Sequence, residues 1–487
     1  LAVCNGAVTG THALEYGKLL FLVAVIGGLA VGIAVALDPL PAIALLSACL
    51  FLLFLNVNLG AWLALTMAAA WLAPPLRSIP FVSDLLPSYP VVFIVFLLVL
   101  CRFVATPEKV SFRTRILVPF LLYAGAQGAT TVLVLFNDPA LLSYKQTFVF
   151  IVLGYYYVLC WLVIQHFKYD DWRLFFRALV AVSACVVAIG FVEHLGTFYV
   201  SALKPFNLFV RSHYNNPFTW RELGWGGPTP ARVGGTFDGS PNGLGAFAAF
   251  SGVLFLSLSL DTSKSLRKRA IFLALLVLST ATLIATSSRG GLVNFAVGAI
   301  AVLLLSGKVR LHTKVVLAVL VSAAVVFLVI RLSAQLERFT VFRDLFAGKL
   351  LADANLAGRF DSWRANFALF AAAPIFGVGS TLKLRVLTDN QYLWVLVRYG
   401  VVGFAAMLFL FGHVVRDGLK ALKTTRGTEH FILLAMVAAV LGMMAHALVS
   451  EIFAVPRMAE IYWIAFGIIE GIAAKHGSEA TYGPTEE

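Results

Sequence analysis

Several short groups of residues in this 487-residue chain combine charge with unusual backbone freedom. Arg232-Val-Gly-Gly-Thr-Phe-Asp238-Gly-Ser-Pro-Asn242-Gly joins a cation to glycines and a proline. These permit a tight non-helical turn in which backbone N–H groups face an anion, and Arg232 can clamp a phosphate bidentately. The same segment also reads as a loop-to-helix junction capped by Asn242 or Asp238. Ser287-Ser288-Arg289-Gly290-Gly291 puts a cation into a very short connection between two apolar stretches, where it is costly unless paired or used. Gly358-Arg359-Phe-Asp361-Ser-Trp363-Arg364 opens a longer run through Pro374-Ile-Phe-Gly377-Val-Gly379 to Asp389-Asn390-Gln-Tyr392-Leu. Its Asp-Asn pair reads either as a helix cap or as a base. Arg232, Arg289 and Arg359 with Asp389 are the composition of a site that neutralises a diphosphate while one carboxylate activates a hydroxyl.

The elements that must position these residues are membrane helices. Hydrophobic residues make up 60% of the chain, charged residues 13%, and mean hydropathy is +0.90, whereas soluble domains carry roughly 25% charged residues. About fourteen apolar stretches approach the ~20 residues of a membrane span. They lie near 19–36, 40–56, 60–73, 89–104, 116–135, 147–165, 176–195, 243–260, 269–287, 291–306, 314–330, 391–412, 430–449 and 459–474. The expected fold is an all-α polytopic membrane protein of about 12–14 transmembrane helices. It forms a single transmembrane domain over 1–475 with a polar cytoplasmic tail at 476–487. The stretches 40–56 and 60–73 are separated by so few residues that they also fit a re-entrant hairpin. The first stretch lacks a small-residue cleavage site and is read as a span.

Lys and Arg in short loops mark the cytoplasmic side. One set of loops holds Arg102, Lys109, Arg113 and Arg115; Lys168, Arg173 and Arg177; Lys264, Arg267, Lys268 and Arg269; Lys308, Arg310 and Lys314; and Arg416, Lys420, Lys423 and Arg426. The alternate short loops hold Arg77, Lys145 and Arg457. Both termini are therefore expected in the cytoplasm, and two long segments, about 196–242 and 331–390, outside it. Both long segments are basic, the first through Lys204, Arg211, Arg221 and Arg232, the second through residues that include Arg359, Lys383 and Arg385. Contact with lipid phosphates is the plain explanation of such charge. The formal charge of +13 needs only this topology and anionic lipid, with no nucleic acid. The scattered cysteines and histidines show no metal-ligand spacing, and no Walker-type Gly-Lys-Ser/Thr follows the glycines. Neither a metal nor another cofactor is expected.

The order Arg232-x-Gly-Gly-Thr-Phe-x-x-x-Pro-Asn242, Ser288-Arg289-Gly290, Arg359-x-x-x-Trp363, Pro374-x-x-Gly377-x-Gly379 and Asp389-Asn390-x-Tyr392-Leu393 resembles the O-antigen ligase and Wzy-type polymerase superfamily over about 230–405. The resemblance implies a metal-independent glycosyltransferase of the C-superfamily type in the bacterial inner membrane, with a periplasmic active site. Its donor would be a glycan on undecaprenyl diphosphate, its acceptor another glycan or a lipid-linked glycan, and its surroundings membrane lipids. The family's essential arginines would map to Arg232 and to Arg289 or Arg359. Ligases carry His before Asn in the last motif and this chain has Asp389, which favours a repeat-unit polymerase over transfer to lipid A-core.

The expected mechanism makes Asp389 the base for the acceptor hydroxyl and Arg232, Arg289 and Arg359 the stabilisers of the departing diphosphate, with inversion at the anomeric carbon. Arg221, Asn242, Lys383, Arg385, Asn390, Tyr392 and Arg398 are the expected substrate-binding residues. Arg398, an intramembrane cation, calls for a partner, with Glu451 and His446 as candidates. A lipid-linked oligosaccharide flippase is the competing class. It would be marked by an internal repeat and by intramembrane charge in both halves, whereas here the unusual polar residues gather on one face.

Overall fold

Backbone polar groups that cross hydrocarbon must be satisfied within the chain, and the apolar stretches achieve this as helices. The computed structural model describes residues 59–72, 114–137, 144–169, 171–214, 233–237, 240–306, 354–379, 388–453 and 456–479. These residues form α1 (Leu59–Leu72), α2 (Leu117–Asn137), α3 (Tyr144–Tyr169), α4 (Arg173–Phe198), α5 (Lys204–Tyr214), α6 (Pro241–Ser259), α7 (Leu266–Ala285), α8 (Arg289–Leu305), α9 (Ala354–Ala372), α10 (Gln391–Ala421), α11 (Gly427–His446) and α12 (Pro456–Glu479). There is no strand among the described residues. The protein is an all-helical, multi-span membrane protein: α2, α4, α6, α7, α10 and α11 are each long and apolar enough to cross a bilayer, and α1 and α8 are shorter apolar helices. The stretches expected near 19–36, 40–56, 89–104 and 314–330 lie outside the described residues, and with them the hairpin alternative.

α6 is the hub. Its apolar window is 89% buried against 22% for α7, and it packs on α4, α7, α8, α11 and α12. Much of the α7 surface is therefore left uncovered, while α6 depends on small residues to admit its neighbours. A Cβ on Gly245 would lie 2.5 Å from that of Ser288, and one on Gly291 2.9 Å from the Gly245 carbonyl oxygen. The starts of α6 and α8 thus touch backbone to backbone. α12 packs along α3 and also meets α10 and α11.

α10 is broken. Gly400 adopts φ 64°, ψ −166° inside it, a left-handed conformation that an L side chain adopts only at a cost. Breaking the helix strands backbone groups at membrane depth, and the Pro374–Gly379 segment satisfies them. Val378 and Gly379 donate to the Val397 and Arg398 carbonyls at 2.9 and 3.0 Å, and Val401 and Val402 donate to those of Pro374 and Ile375 at 2.9 and 3.2 Å. The Pro-x-x-Gly-x-Gly motif is therefore an insert that fills a helix break. In α9, which precedes it, Trp363 turns toward the protein while Phe360 and Phe367 are exposed.

Candidate functional site

The motifs converge at one end of the bundle. α6, α8, α10 and α12 begin there and α4 and α11 end there. Ser240 caps α6, accepting from the Gly243 N–H at 3.1 Å. The alternative that Asn242 or Asp238 is the cap fails for Asn242, whose Oδ1 instead accepts from the Ser288 hydroxyl at 3.3 Å; Asp238 lies outside the described residues. Ser288 in turn caps α8 through Gly291 N–H at 3.2 Å. The first two motifs are thus built alike, each a capping serine at the start of a glycine-rich helix, and they are hydrogen-bonded to each other. Arg289 is the first residue of α8 and is half-buried. The next residue, Gly290, lies under the ring of buried His446, the last residue of α11.

The third group meets the same end. Asn390 caps α10, its Oδ1 accepting from Tyr392 and Leu393 N–H at 3.0 and 3.1 Å, so the Asp-Asn pair divides its roles. The cap is Asn390, and the Asp389 carboxylate pairs with Arg359 Nε of α9 at 3.3 Å, both side chains retaining exposure, 36% and 21%. Arg359 also donates to the Val449 carbonyl at 3.2 Å. Tyr392 donates its hydroxyl to the Met444 carbonyl at 2.7 Å, a helix-packing contact. Arg398 lies over the Trp394 ring, 4.3 Å from its centroid, and of its two candidate partners Glu451 is within its electrostatic reach.

Two non-glycine residues among those described have positive φ, Ser287 at 52° and Asp389 at 45°. Both belong to these motifs, and strain of this kind persists only where the surroundings enforce it. At Asp389 they do. The preceding Thr388 gives its N–H to Glu451 Oε1 at 2.7 Å and its hydroxyl to the same oxygen, while its carbonyl accepts from the Trp363 indole at 2.6 Å. On the other side Gln391 donates its N–H to the Ala447 carbonyl at 2.8 Å and accepts from Phe453 N–H at 3.0 Å. Burial pushes the Glu451 carboxyl above its ordinary range, with the nearby Asp389 adding to the rise and the Thr388 bonds and Arg398 opposing it.

A parallel support holds the turn that follows Arg232. Buried Glu193 of α4 accepts from Gly235 N–H at 2.9 Å, and buried Arg457, in the first turn of α12, donates to the Thr236 carbonyl. Arg221, Arg232, Lys383 and Arg385 themselves lie outside the described residues. The roles of Glu193 and Arg457 were not recognised from sequence. The available signal was an acid inside the 176–195 apolar stretch and a lone arginine between spans, since intramembrane ionisable residues mark function by default.

The opposite end is also charged. Glu429 accepts from Lys475, His476 and the Trp172 indole at 2.7, 2.9 and 2.8 Å, and Asp261 accepts from Ser263 and Thr428. Lys168, Arg173, Lys264 and Lys420 belong to this end, away from the motifs. His413, Asp417 and Glu470 bring ligand atoms within 4.8 Å of one another here. Arg416 lies 3.1 Å from His413 Nδ1 and 2.9 Å from Asp417 Oδ1. His413 Nε2 lies 3.6 Å from Asp417 Oδ2 and 3.9 Å from Glu470 Oε1.

An all-helical bundle with strained, cation-flanked polar turns collected at one end is the architecture of a multi-span membrane protein, and those turns form its candidate site. Residues 274–408 match the family described as O-antigen ligase. That interval runs from α7 past the break in α10 and contains Arg289, Arg359 and Asp389. The match bears out the resemblance to the O-antigen ligase and Wzy-type polymerase superfamily and supports a membrane enzyme of that ligase or polymerase type. No curated protein matches the chain.

Proposed function

We propose that this protein is a glycosyltransferase of the bacterial inner membrane that joins undecaprenyl-diphosphate-linked oligosaccharide repeat units on the periplasmic face. The observation that carries this reading is the Arg359–Asp389 pair at 3.3 Å, beside the starts of α6, α8 and α10. Helix N-termini carry partial positive charge and unsatisfied N–H groups, the setting in which a diphosphate binds. The outward placement is supported by the Lys- and Arg-rich short connections at the other end of the bundle.

On donor binding, the diphosphate competes for Arg359 and loosens its hold on the Asp389 carboxylate. Asp389 then takes the proton of the acceptor hydroxyl, whose oxygen attacks the anomeric carbon from the face opposite the diphosphate. The carbon–oxygen bond to the diphosphate breaks with its electron pair leaving on the lipid diphosphate, where Arg232, Arg289 and Arg359 balance the charge, and the anomeric configuration inverts. The step needs no metal and no energy source beyond the donor bond. Vesicles containing the purified protein and lipid-linked repeat units should accumulate longer glycans without nucleotide or added metal. If the wild-type protein leaves the repeat units unextended and untransferred, the reading is wrong.

The family match does not separate ligation from polymerisation, whereas Asp389, standing where ligases carry His, favours polymerisation. Deleting the gene separates them. Loss of long chains with single repeats still attached to surface lipid identifies a polymerase, and accumulation of long chains on the lipid carrier identifies a ligase.

A further inference from the structure

We propose that Glu451, in the connection between α11 and α12, is a positioning residue for the reaction: it holds Thr388 so that Asp389 is presented in its left-handed turn. This rests on the functional reading above and adds a residue outside both the matched interval and the recognised motifs. Thr388 is nearly fully buried, and each of its polar backbone and side-chain groups is committed. One Glu451 oxygen takes both the N–H and the hydroxyl, and Trp363 of α9 takes the carbonyl. With Thr388 clamped on one side and Asn390 locked as the α10 cap on the other, Asp389 has little freedom to relax from φ 45°.

The clamp is also reciprocal. The connection that carries Glu451 is tied to the start of α10 by the Ala447 and Phe453 bonds to Gln391, and to α9 by the Arg359 bond to Val449. Three elements distant in sequence therefore meet at Thr388, and Glu451 is the side chain that joins the 447–453 connection to it. Arg398 lies within electrostatic reach of Glu451, yet the short contacts of Glu451 go elsewhere. Glu451 spends its hydrogen bonds on the residue before the proposed base. Its raised ionisation range makes glutamine, which keeps an oxygen acceptor, the closest neutral replacement.

The test uses full-length protein in lipid vesicles, with lipid-linked glycan extracted from cells lacking this protein as donor and acceptor. Glu451→Gln should keep kcat within about threefold of wild type, because the acceptor oxygen remains. Glu451→Ala should lower kcat roughly 10–100-fold with donor KM changed less than about threefold, the signature of a misplaced reacting group. Thr388→Val, which removes only the hydroxyl, should fall between them. The proposal is overturned if Glu451→Ala matches wild type. It is also overturned if the loss lies in KM, or if Gln and Ala fall equally with matching drops in thermal unfolding midpoint, as a purely structural role requires. A wild-type protein that transfers no glycan removes the functional reading and this inference together, whereas an active wild type with an unaffected Ala variant removes this inference alone.

Discussion

The two ends of the bundle both carry charged groups and use them in opposite ways. At the basic end, two carboxylates are met by other side chains: Glu429 by Lys475, His476 and Trp172, and Asp417 by the adjacent Arg416 with Arg115 in range. The backbone beneath them is ordinary helix. At the other end, Glu193, Glu451 and Arg457 are spent on backbone or threonine groups, and the effect is to hold turns in place. Among the described residues, Asp389 pairs with one cation, Arg359, at 3.3 Å and keeps more than a third of its side chain accessible. Charges that satisfy each other make a clamp. Charges that satisfy the backbone hold the turns that present Asp389 and Arg359, the groups proposed to meet substrate.

That contrast makes its strongest demand at Asp389. Asp389→Asn should reduce glycan transfer by about 10²–10⁴-fold, the usual worth of a positioned general base, in an assay of lipid-linked glycan length by gel. Arg359→Ala should cost about 10²–10³-fold, as loss of one preorganised donor does, and Arg359→Lys less, since the charge survives without the planar fork. A full-strength Asp389→Asn enzyme would erase the distinction between the two ends.

The supports should act on stability first. Arg457→Met leaves the buried Thr236 carbonyl without that donor and should lower stability by about 1–3 kcal/mol, read as thermal unfolding in detergent. Gly400→Ala adds left-handed strain of about 1–3 kcal/mol and a Cβ that would lie 2.1 Å from the Ile375 carbonyl oxygen. It should displace the Pro374–Gly379 insert and carry the start of α10, with Asp389, out of register. Activity falling further than the unfolding midpoint implies would tie the break in α10 to the site rather than to the fold alone.

Much of this was legible in the sequence, unevenly and for physical reasons. Apolar runs near spanning length have few alternatives in hydrocarbon, so α2, α4, α6, α7, α10 and α11 emerge where hydropathy puts them. Asp389-Asn390 and Arg359 were visible because charge is rare and local in such a chain. Which residue caps was less accessible: Asp238, Ser240 and Asn242 are all competent, and the contact between α6 and α8 decides that Ser240 caps while Asn242 bridges to Ser288. The supports were hardest. Glu193 meets Gly235, Arg457 meets Thr236 and Glu451 meets Thr388 across long sequence separations, pairings that no local pattern encodes.

The smallest expected effect is at the basic end, and it tests the comparison from the other side. Glu429 lies under three donors, and its removal looks drastic if buried-network counting is the guide. Its side chain is 17% exposed, however, and Lys475 is 35% exposed, so water can resolvate the partners that Glu429→Gln leaves behind. Pairs of this kind are worth about 0–1 kcal/mol, and the glutamine oxygen still accepts from Trp172 and Lys475. Glu429→Gln should therefore shift the unfolding midpoint slightly and leave glycan transfer within about twofold of wild type, with weaker salt dependence of stability because one charge pair is gone. Should transfer instead fall as far as in Asp389→Asn, the basic end would be part of the chemistry, and the division between the two ends would not hold.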